Sequence, residues 1–388
     1  MGTVIVLGYR KGLAEAIERR GLNAFHVVAK HKKALAGTRY MKIGDLENAQ
    51  EILRAVLIAD IPDVVGVVTG HDRGVFTAAL LREHLGLPGN RDYAGALRFR
   101  DKYLQKSALP AGVERARCRP IDSATSYGEL AAALGTPFIV KPANGAGAVG
   151  TVAVGSEQEF TRHLEPHLGG SDIACVAESF VHGREIHIDG VWYGGRVLWN
   201  SVAQYNEPPM KWNDGVVLAT QVLSRAENAG VLDGATELAE QALKGLDAPD
   251  CVFHLEAYVR GGNLVFGECA LRVSGTHMPE IVELTHGVNL YDASVSLALG
   301  EDPSATLVPK TPEEYYACVY LRRFDGIELT RADFAEHFPF HELDYPDHGR
   351  GPAGMYGRVG HAFVSAPDNA QLSELIARMA SFNETGRV

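Results

Sequence analysis

The chain has 388 residues, of which 46% are hydrophobic and 22% are charged, and its formal net charge is −11 at pH 7. That length predicts two or three structural domains, each with enough apolar residues to bury a core. The negative balance comes from mixed charges with no long run of one sign, which argues against nucleic acid or an anionic membrane as the main partner.

The cysteines and the apolar segments exclude further classes. Five scattered cysteines, odd in number and without a C-x-x-C pair, indicate reduced thiols and argue against a zinc site. The N-terminus lacks the pattern of a secretion signal, and nowhere do eighteen apolar residues run together. We therefore expect a soluble cytoplasmic protein that meets anionic ligands through local basic residues.

The first ninety residues alternate strand and helix patterns. The apolar run TVIVLG is followed by the helix-like KGLAEAIERRG and the strand AFHVVA, a β-α-β opening. The helix ENAQEILRAVLIADIP, the strand DVVGVVTG and the helix GVFTAALLREHLGL continue this alternation as far as the turn at Pro88-Gly89-Asn90. A small parallel α/β domain is predicted.

A glycine-rich segment follows a predicted strand in the next part of the chain. The segment YAGALRFRDKYLQKSAL is predicted as one helix, with Lys102 and Lys106 one turn apart, and the strand TPFIVKPA then carries Lys141. Residues 144–150 contain G-x-G-x-x-G, but the following TVAVG is β-branched and alternating, so this loop joins two strands rather than opening a dinucleotide-binding helix. Backbone N–H groups of such a loop can approach phosphate oxygens. A phosphate flap is the interpretation, and an exposed hairpin with a solvent-facing lysine is the alternative.

Two further segments carry candidate ligand-binding residues. Residues 177–189, AESFVHGREIHID, predict a strand, a tight turn and a second strand, a crossing that can offer backbone groups to a base and Glu185 to a ribose. Residues 206–215, NEPPMKWNDG, predict a long irregular loop whose tip carries Lys211 and Trp212. These two side chains are candidates to touch substrate, although an exposed loop with an incidental lysine is the simpler interpretation.

The runs CVFHLEAYV and NLVFGECAL predict a hairpin, since Gly-Gly-Asn between them supplies turn residues. Glu256 and Glu268 face each other only with an odd register or a bulge, because side chains alternate with period two. Arg272 lies four residues after Glu268 and shares its face if the strand continues. Two carboxylates and an arginine suit Mg²⁺ and phosphate oxygens. The alternative is a surface hairpin with ordinary charges.

The order of these motifs resembles the ATP-grasp superfamily, specifically the carboxylate-amine ligases that include the L-amino-acid ligases. The resemblance covers most of the chain and implies a fold of mixed class, α/β and α+β. It implies a Rossmann-like parallel α/β domain at 1–95 and a small central lid subdomain with the flap at 96–180. A larger mixed C-terminal domain at 181–388 would hold the metal site and an α/β extension.

The resemblance also assigns roles to matching residues. Arg272 and Lys141 would be catalytic, and Glu256 and Glu268 would bind Mg²⁺ or Mn²⁺. Residues 178–181 would line adenine, and Glu185 would reach the ribose. The full ATP site would comprise Lys102, Lys141, Asn144, Gly145, Gly147, Gly150, Glu178, Ser179, Phe180, Val181 and Glu185.

Two departures from the family pattern affect the metal and the substrate. Ala270 stands where many relatives have a side-chain metal ligand, so water replaces that ligand or the metal affinity is lower. Ser274-Gly275 replaces a frequent Gly-Gly pair, which makes this segment a candidate acyl pocket. The candidate substrate residues are Arg272, Ser274, Gly275, Thr276 and His277. Polar packing is the alternative for His277.

The resemblance implies an enzyme that uses ATP to phosphorylate a substrate carboxylate. An amine, expected to be an amino acid, would then attack the acyl phosphate and give an amide or dipeptide-like product with ADP and phosphate. Small carboxylate and amine substrates are the expected partners, and the family favours a homodimer. The alternatives are another ATP-grasp reaction, such as a purine-pathway ligase or a biotin-type carboxylase, and a nucleotide-binding protein without ligase activity.

Overall fold

A computed structural model describes residues 2–30, 37–168, 174–346 and 358–387, except for the side chains of 164–168. Within these ranges the strands form three sheets, one of four parallel strands, one of four antiparallel strands and one of eight antiparallel strands. The predicted combination of parallel and antiparallel α/β structure is therefore correct. None of the five cysteines, all of which lie within the described ranges, is part of a disulfide.

The N-terminal sheet is parallel, with the strand order β3-β2-β1-β4. Its elements are β1 (Thr3–Leu7), α1 (Lys11–Arg19), β2 (Asn23–Ala29), β3 (Arg39–Ile43), α2 (Ala49–Ala59), β4 (Val64–Thr69) and α3 (Val75–Leu85). The predicted β-α-β opening is confirmed. Strand β3 was not predicted, because RYMKI is short, carries two basic residues and is only partly buried. The carboxyl ends of β1 and β4 meet at one edge of the sheet, where ligands of such folds commonly bind.

The single helix predicted across residues 93–109 is wrong, since the structure has two helices. They are α4 (Tyr93–Arg98) and α5 (Lys102–Ala108). The Asp101 side chain accepts hydrogen bonds from the backbone N–H groups of Tyr103 and Leu104, which caps α5. An aspartate before a helical run is a start signal that the sequence contained. The break makes Lys102 the first residue of α5.

The central sheet is antiparallel, with the strand order β5-β8-β6-β7. Its elements are β5 (Cys118–Ile121), α6 (Tyr127–Leu134), β6 (Phe138–Pro142), β7 (Val152–Val154), α7 (Glu157–Leu168) and β8 (Cys175–Ser179). Phe138 of β6 pairs with Val154 of β7, so the glycine-rich segment connects two antiparallel strands, as predicted.

The largest sheet has the order β13-β12-β9-β10-β11-β14-β16-β15. Its strands are β9 (Arg184–Tyr193), β10 (Arg196–Tyr205), β11 (Ala219–Val222), β12 (Cys251–Arg260), β13 (Asn263–Ala270), β14 (Tyr315–Leu321), β15 (Glu342–Asp344) and β16 (Gly360–Ala366). Its helices are α8 (Arg225–Gly245), α9 (Met278–His286), α10 (Leu290–Ala298), α11 (Arg331–His337) and α12 (Asn369–Thr385). One apolar core packs α8 against β9, β12 and β13, and another packs α12 against β14 and β16. Residues 180–183 connect the central sheet to this one.

The segment 206–215 is not the irregular loop that its sequence predicted. It contains a short 3₁₀ helix, Pro209–Asp214, and Trp212 is buried rather than placed at a tip. The guanidinium of Arg322 lies 4.0 Å from the Trp212 ring centroid, and Arg322 also donates to the Trp212 carbonyl. Burial of the large apolar indole outweighs the turn preferences of its neighbours. The prediction that Trp212 touches substrate is therefore wrong. Lys211 pairs with Glu207 at 2.7 Å.

Among the described residues, no helix combines the length and apolar character that crossing a membrane requires.

Candidate functional site

A cavity of about 400 Å³ lies between the central sheet and the largest sheet, beside the connection 180–183. Most of the predicted nucleotide and metal residues line it. They are Lys102, Lys141, Gly145, Gly147, Glu178, Ser179, Phe180, Val181, Glu185, Glu256 and Glu268. Lys211 also lines this cavity, whereas Asn144 and Gly150 do not.

A smaller cavity of about 40 Å³ adjoins the end of the first that Glu256 and Glu268 line. The two cavities share Lys102, Gly145, Gly147, Glu256 and Glu268, and the smaller one also reaches Arg272. One continuous region is therefore bordered by Lys102, Glu256, Glu268 and Arg272. Asp72, Arg100 and His254, which the sequence did not single out, complete the polar wall of the smaller cavity.

The hairpin of β12 and β13 has the register that a shared metal requires. Glu256 pairs directly with Glu268, although the turn at Gly261-Gly262 has only two residues between Arg260 and Asn263. A register shift next to Glu256 restores the pairing, because Gly267 is an extra residue on β13. A Cβ at Gly267 would lie 2.8 Å from the Glu256 carbonyl oxygen, so this position requires glycine. The predicted need for a bulge is met.

Arg272 reaches the cavity by a different route from the predicted one. β13 ends at Ala270, so Arg272 does not continue the strand. Its Nη2 donates to Asp72 Oδ2 at 2.6 Å, and its Nη1 donates to the Val273 carbonyl at 3.1 Å. Burial favours the neutral acid of Asp72, but the charge of Arg272, assisted by Arg100, outweighs burial and holds the Asp72 pKa well below its usual range. An aspartate of the N-terminal sheet thus fixes the arginine.

Lys106, which is buried, and Lys141, which is partly buried, share one carboxylate on the wall of the larger cavity. Lys106 donates to Glu178 Oε1 at 2.7 Å and to the Gly267 carbonyl at 2.7 Å. Lys141 Nζ lies 2.9 Å from Glu178 Oε2. Burial alone would raise the Glu178 pKa, but the two ammonium groups outweigh it and lower that pKa to about 2. Lys106 was missed as a site residue. Its i,i+4 spacing from Lys102 was visible, but its burial was not.

Lys102 and Arg100 hold the start of the glycine-rich loop. Lys102 Nζ donates to the Gly145 carbonyl at 2.8 Å and lies 2.9 Å from Glu268 Oε2. Arg100 donates to the Asn144 carbonyl at 2.6 Å. The loop is therefore attached through two backbone carbonyls to cations that also border the metal end of the site.

Three carboxylates converge where a metal was predicted. Burial raises the Glu185 pKa well above its usual range, and the charge of Glu256 raises it further. Glu256 and Glu268 are 26% and 30% exposed, so their oxygens remain accessible from the cavity. Carboxylate oxygens are the ligands that Mg²⁺ prefers, and a divalent cation would relieve the mutual repulsion of these acids. The donor set therefore fits Mg²⁺ or Mn²⁺. Ala270 offers no side-chain ligand.

A buried network of polar side chains lies next to Glu256. His254 Nε2 lies 3.4 Å from Glu256 Oε1, and His254 Nδ1 lies 2.9 Å from Asp189 Oδ1. His187 joins the other Asp189 oxygen at 2.6 Å and Thr220 Oγ1 at 2.7 Å. Burial lowers the His254 pKa, but the Asp189 carboxylate outweighs burial and raises it to about 10. Such partners behind a metal ligand fix its orientation. These hydrogen bonds were not predicted, although His187, Asp189 and His254 lie on predicted strands.

The candidate substrate residues 274–277 do not line either cavity. Ser274 is fully buried, and the Thr276 carbonyl accepts a hydrogen bond from Tyr320 at 2.7 Å. His277 stacks on His361 with ring centroids 4.0 Å apart, which is the polar packing that was the alternative. Thr276 and His277 both have positive φ, at 52° and 63°, which is uncommon for non-glycine residues. Their role in substrate binding stays a prediction.

The chain was compared with known proteins. No protein-family model matches it. It is similar to the L-arginine-specific L-amino acid ligase of Bacillus subtilis, with 26% identity over 251 residues. That match covers 63% of this chain and 60% of the relative, so it spans less than two thirds of the relative's length.

The solved structures match along almost the entire chain. The L-amino acid ligase from Bacillus licheniformis has a TM-score of 0.78 at 17% identity and covers 99% of this chain and 98% of its own. A carboxyaminoimidazole ribonucleotide synthase from Aspergillus clavatus, complexed with ATP, has a TM-score of 0.74 at 17% identity, with coverages of 98% and 97%. At these identities the likeness establishes the fold alone. The fold and the partial sequence similarity are both consistent with the resemblance to the ATP-grasp superfamily that the order of the motifs indicates.

Proposed function

We propose that the protein is an ATP-dependent ligase that joins a carboxylic acid to an amine and releases ADP and phosphate. The observation that carries this proposal is the direct pairing of Glu256 with Glu268 in one cavity with Lys102 and Lys141. Paired carboxylates for a divalent cation, beside lysines for phosphate oxygens, match the charge pattern of a magnesium–triphosphate complex. The similarity to an L-amino acid ligase supports the same reaction class.

The proposed chemistry replaces a poor leaving group with a good one. A carboxylate does not react with an amine at neutral pH, because oxide would have to leave. A carboxylate oxygen attacks the γ-phosphorus, the bond to the β-phosphate oxygen breaks, and an acyl phosphate and ADP form. The amine then attacks the acyl carbon, the C–O bond to phosphate breaks, and the amine loses a proton. The products are an amide and phosphate.

Several residues of this chain would stabilise the charges that develop. Lys102 and Lys141 would neutralise phosphate oxygens, together with backbone N–H groups of residues 144–150. Arg272, fixed by Asp72, would stabilise the oxyanion at the acyl carbon. Mg²⁺ held by Glu256 and Glu268 would supply further positive charge against the triphosphate.

Water has to be excluded, because it would hydrolyse the acyl phosphate. The glycine-rich loop is the proposed cover, since it borders the cavity at Gly145 and Gly147. Lys102 and Arg100 bind the loop through its carbonyl groups, and the N–H groups of Gly145 and Val149 donate to Pro142 and Ala146, so the remaining N–H groups of the loop are the ones proposed for phosphate. Binding of ATP and closure of the loop would thereby be linked.

The proposed function is tested by screening amino acids and small amines, singly and in pairs, for ATP-dependent phosphate release. We expect at least one pair to give one ADP per product, with a product mass equal to acid plus amine minus water. Glu268→Gln should abolish the release. The exposed Glu240 on α8 provides a matched control, and Glu240→Gln should retain wild-type rates. Bicarbonate-dependent turnover with a carboxylated product would identify a carboxylase, and ATP binding without stimulation by any pair would contradict the ligase.

The acyl phosphate is tested by isotope transfer. With ¹⁸O in the substrate carboxylate, one labelled oxygen should appear in the released phosphate for each amide formed. Coupled turnover that leaves phosphate unlabelled would eliminate this intermediate and point to an adenylate or to direct condensation.

A further inference from the structure

A second group of charged residues lies at the carboxyl edge of the N-terminal sheet. Arg10 follows β1 and directly precedes α1, and residues 70–72 follow β4. The two loops touch, because a Cβ at Gly8 would lie 2.1 Å from the His71 ring. Arg10 Nε donates to the Gly70 carbonyl at 3.2 Å, and a Cβ at Gly70 would lie 2.5 Å from Arg10 Cγ. The arginine side chain is therefore packed flat across Gly70, and its direction is fixed.

Arg10 differs from the other arginines of this region. Arg272 is paired with Asp72, and Arg100 is paired with Glu47 at 2.9 Å. For Arg10, no carboxylate oxygen of the described part of the chain lies within 4.0 Å, and its recorded hydrogen bond is the one to Gly70. A guanidinium has five N–H donors, so several of them remain available.

The Arg10 guanidinium reaches the segment that follows Arg272. A Cβ at Gly275 would lie 3.4 Å from Arg10 Nη2, so no other group lies between them. Burial, assisted by the charge of Arg10, lowers the pKa of His71 to about 4, and burial together with the charges of His361, Arg358 and Arg10 lowers the pKa of His277 to about 3. Both imidazoles are therefore neutral at pH 7, and neither repels an incoming cation or competes for an anion.

Two buried polar atoms of the same segment lack partners within the described residues. They are Ser274 Oγ and Glu280 Oε2. The nearest basic nitrogen to Glu280 Oε2 is His277 Nδ1 at 4.0 Å, beyond hydrogen-bond distance. The other oxygen of Glu280 accepts from the Tyr291 hydroxyl at 3.1 Å. Buried polar atoms normally have partners, and those without one in a native structure mark a place for a bound polar group.

We propose that Arg10 binds the free carboxylate of the amine substrate, which makes that substrate an amino acid. The inference rests on the proposed ligase function. The carboxylate that is activated has to lie beside Arg272, Glu256 and Glu268, which border one cavity. Arg10 lines neither of the two cavities described above, so it would serve a different carboxylate.

This arrangement gives selectivity for one kind of nucleophile. A guanidinium pairs with a carboxylate through two parallel hydrogen bonds, a geometry that a carboxamide or a simple amine cannot reproduce. An amino acid would be held by its acid group, with its nitrogen directed toward the acyl phosphate. Amines without an acid group would bind weakly.

The experiment compares Arg10→Gln with wild type for three nucleophiles, namely an amino acid accepted by wild type, the carboxamide of that amino acid, and hydroxylamine. Loss of a hydrogen-bonded ion pair should raise KM for the amino acid by about tenfold or more. KM for the carboxamide and the rate of hydroxamate formation should stay at wild-type values. Arg10→Lys, which keeps the charge, should recover part of the affinity. Arg19→Gln, on the exposed end of α1, is the matched control and should behave as wild type.

An equal rise of KM for the amino acid and its carboxamide would contradict the inference, and so would unchanged KM values. Hydroxylamine tests the ligase reaction separately, because it traps an acyl phosphate without offering a carboxylate. If wild type forms no hydroxamate with any acid, the proposed function fails before Arg10 is altered. Calorimetry then tests the Arg10 contact separately from the reaction. It measures the Kd of the amino acid and of its carboxamide for wild type and for Arg10→Gln, with each protein saturated with a non-hydrolysable ATP analogue.

Discussion

Replacement of Glu178 by glutamine should destabilise the protein, because this carboxylate balances the ammonium groups of Lys106 and Lys141. Glu178 is 5% exposed, and its partners Lys106 and Lys141 lie 2.7 and 2.9 Å from its oxygens. A carboxyl whose pKa falls from its ordinary 4.5 to about 2 on folding contributes about 3 kcal/mol at pH 7. Glutamine keeps the shape but removes the charge and leaves two like charges close together. We expect the free energy of unfolding to fall by about 3 kcal/mol.

The same reasoning gives the pH dependence of the effect. Because the folded pKa of Glu178 is depressed, its contribution is complete above about pH 4.5 and is lost as the pH falls toward 2. The difference between wild type and Glu178→Gln should narrow from about 3 kcal/mol at pH 7 to about 2 kcal/mol at pH 3.5. Urea unfolding followed by circular dichroism at both pH values measures it.

A double-mutant cycle identifies the partner of Glu178. Addition of Lys106→Met to Glu178→Gln removes one of the unpaired ammonium groups, so the double variant should be more stable than the sum of the two single effects predicts. A loss below about 1 kcal/mol at pH 7 for Glu178→Gln, or additive effects in the cycle, would refute the claim that this carboxylate is ionised and balanced by the two lysines.

Three further outcomes are expected. Gly267→Ala should raise the Kd for Mg²⁺ and lower kcat by about tenfold or more, because a Cβ would lie 2.8 Å from the Glu256 carbonyl oxygen and shift the strand register. Gly112→Ala is the control, because Gly112 has open space around it. Normal turnover of Gly267→Ala would contradict the argument that the bulge requires glycine. Asp72→Asn should lower the melting temperature and reduce kcat more than it changes KM, since the charge that fixes Arg272 is removed. An unchanged kcat would show that the position of Arg272 does not affect the reaction. Chelation of divalent cations should stop ADP formation, and Mg²⁺ or Mn²⁺ should restore it, whereas turnover in excess chelator would exclude the metal role of the paired acids.

Local sequence patterns predicted most of the elements and the chemistry of the main cavity. Alternating apolar residues predicted the hairpin of β12 and β13, and β-branched residues after the glycine-rich loop predicted a strand instead of a helix. The capping aspartate at position 101 was also present in the sequence but was not used, which produced one helix in place of two. These features depend on neighbours within a few residues, so the sequence displays them directly.

Burial could not be predicted in the same way. Lys106 and Trp212 look like surface residues of a helix and a loop, yet the folded chain buries both. Whether a side chain is buried depends on which distant segments cover it, and no short window of sequence contains that information. The lysine that completes the Glu178 network was therefore missed, and the tryptophan was placed on the surface.

The sequence by itself supplied the candidate residues of the site, since Lys102, Lys141, Glu256, Glu268 and Arg272 were selected from their segments and from the resemblance to the ATP-grasp superfamily. Only the tertiary structure decided how these groups are held. Asp72 is 200 residues from Arg272 in the chain, and the bond between them is 2.6 Å long. Contacts of this kind form because three separate sheets pack together and exclude water, which strengthens the interactions between the charges that they enclose.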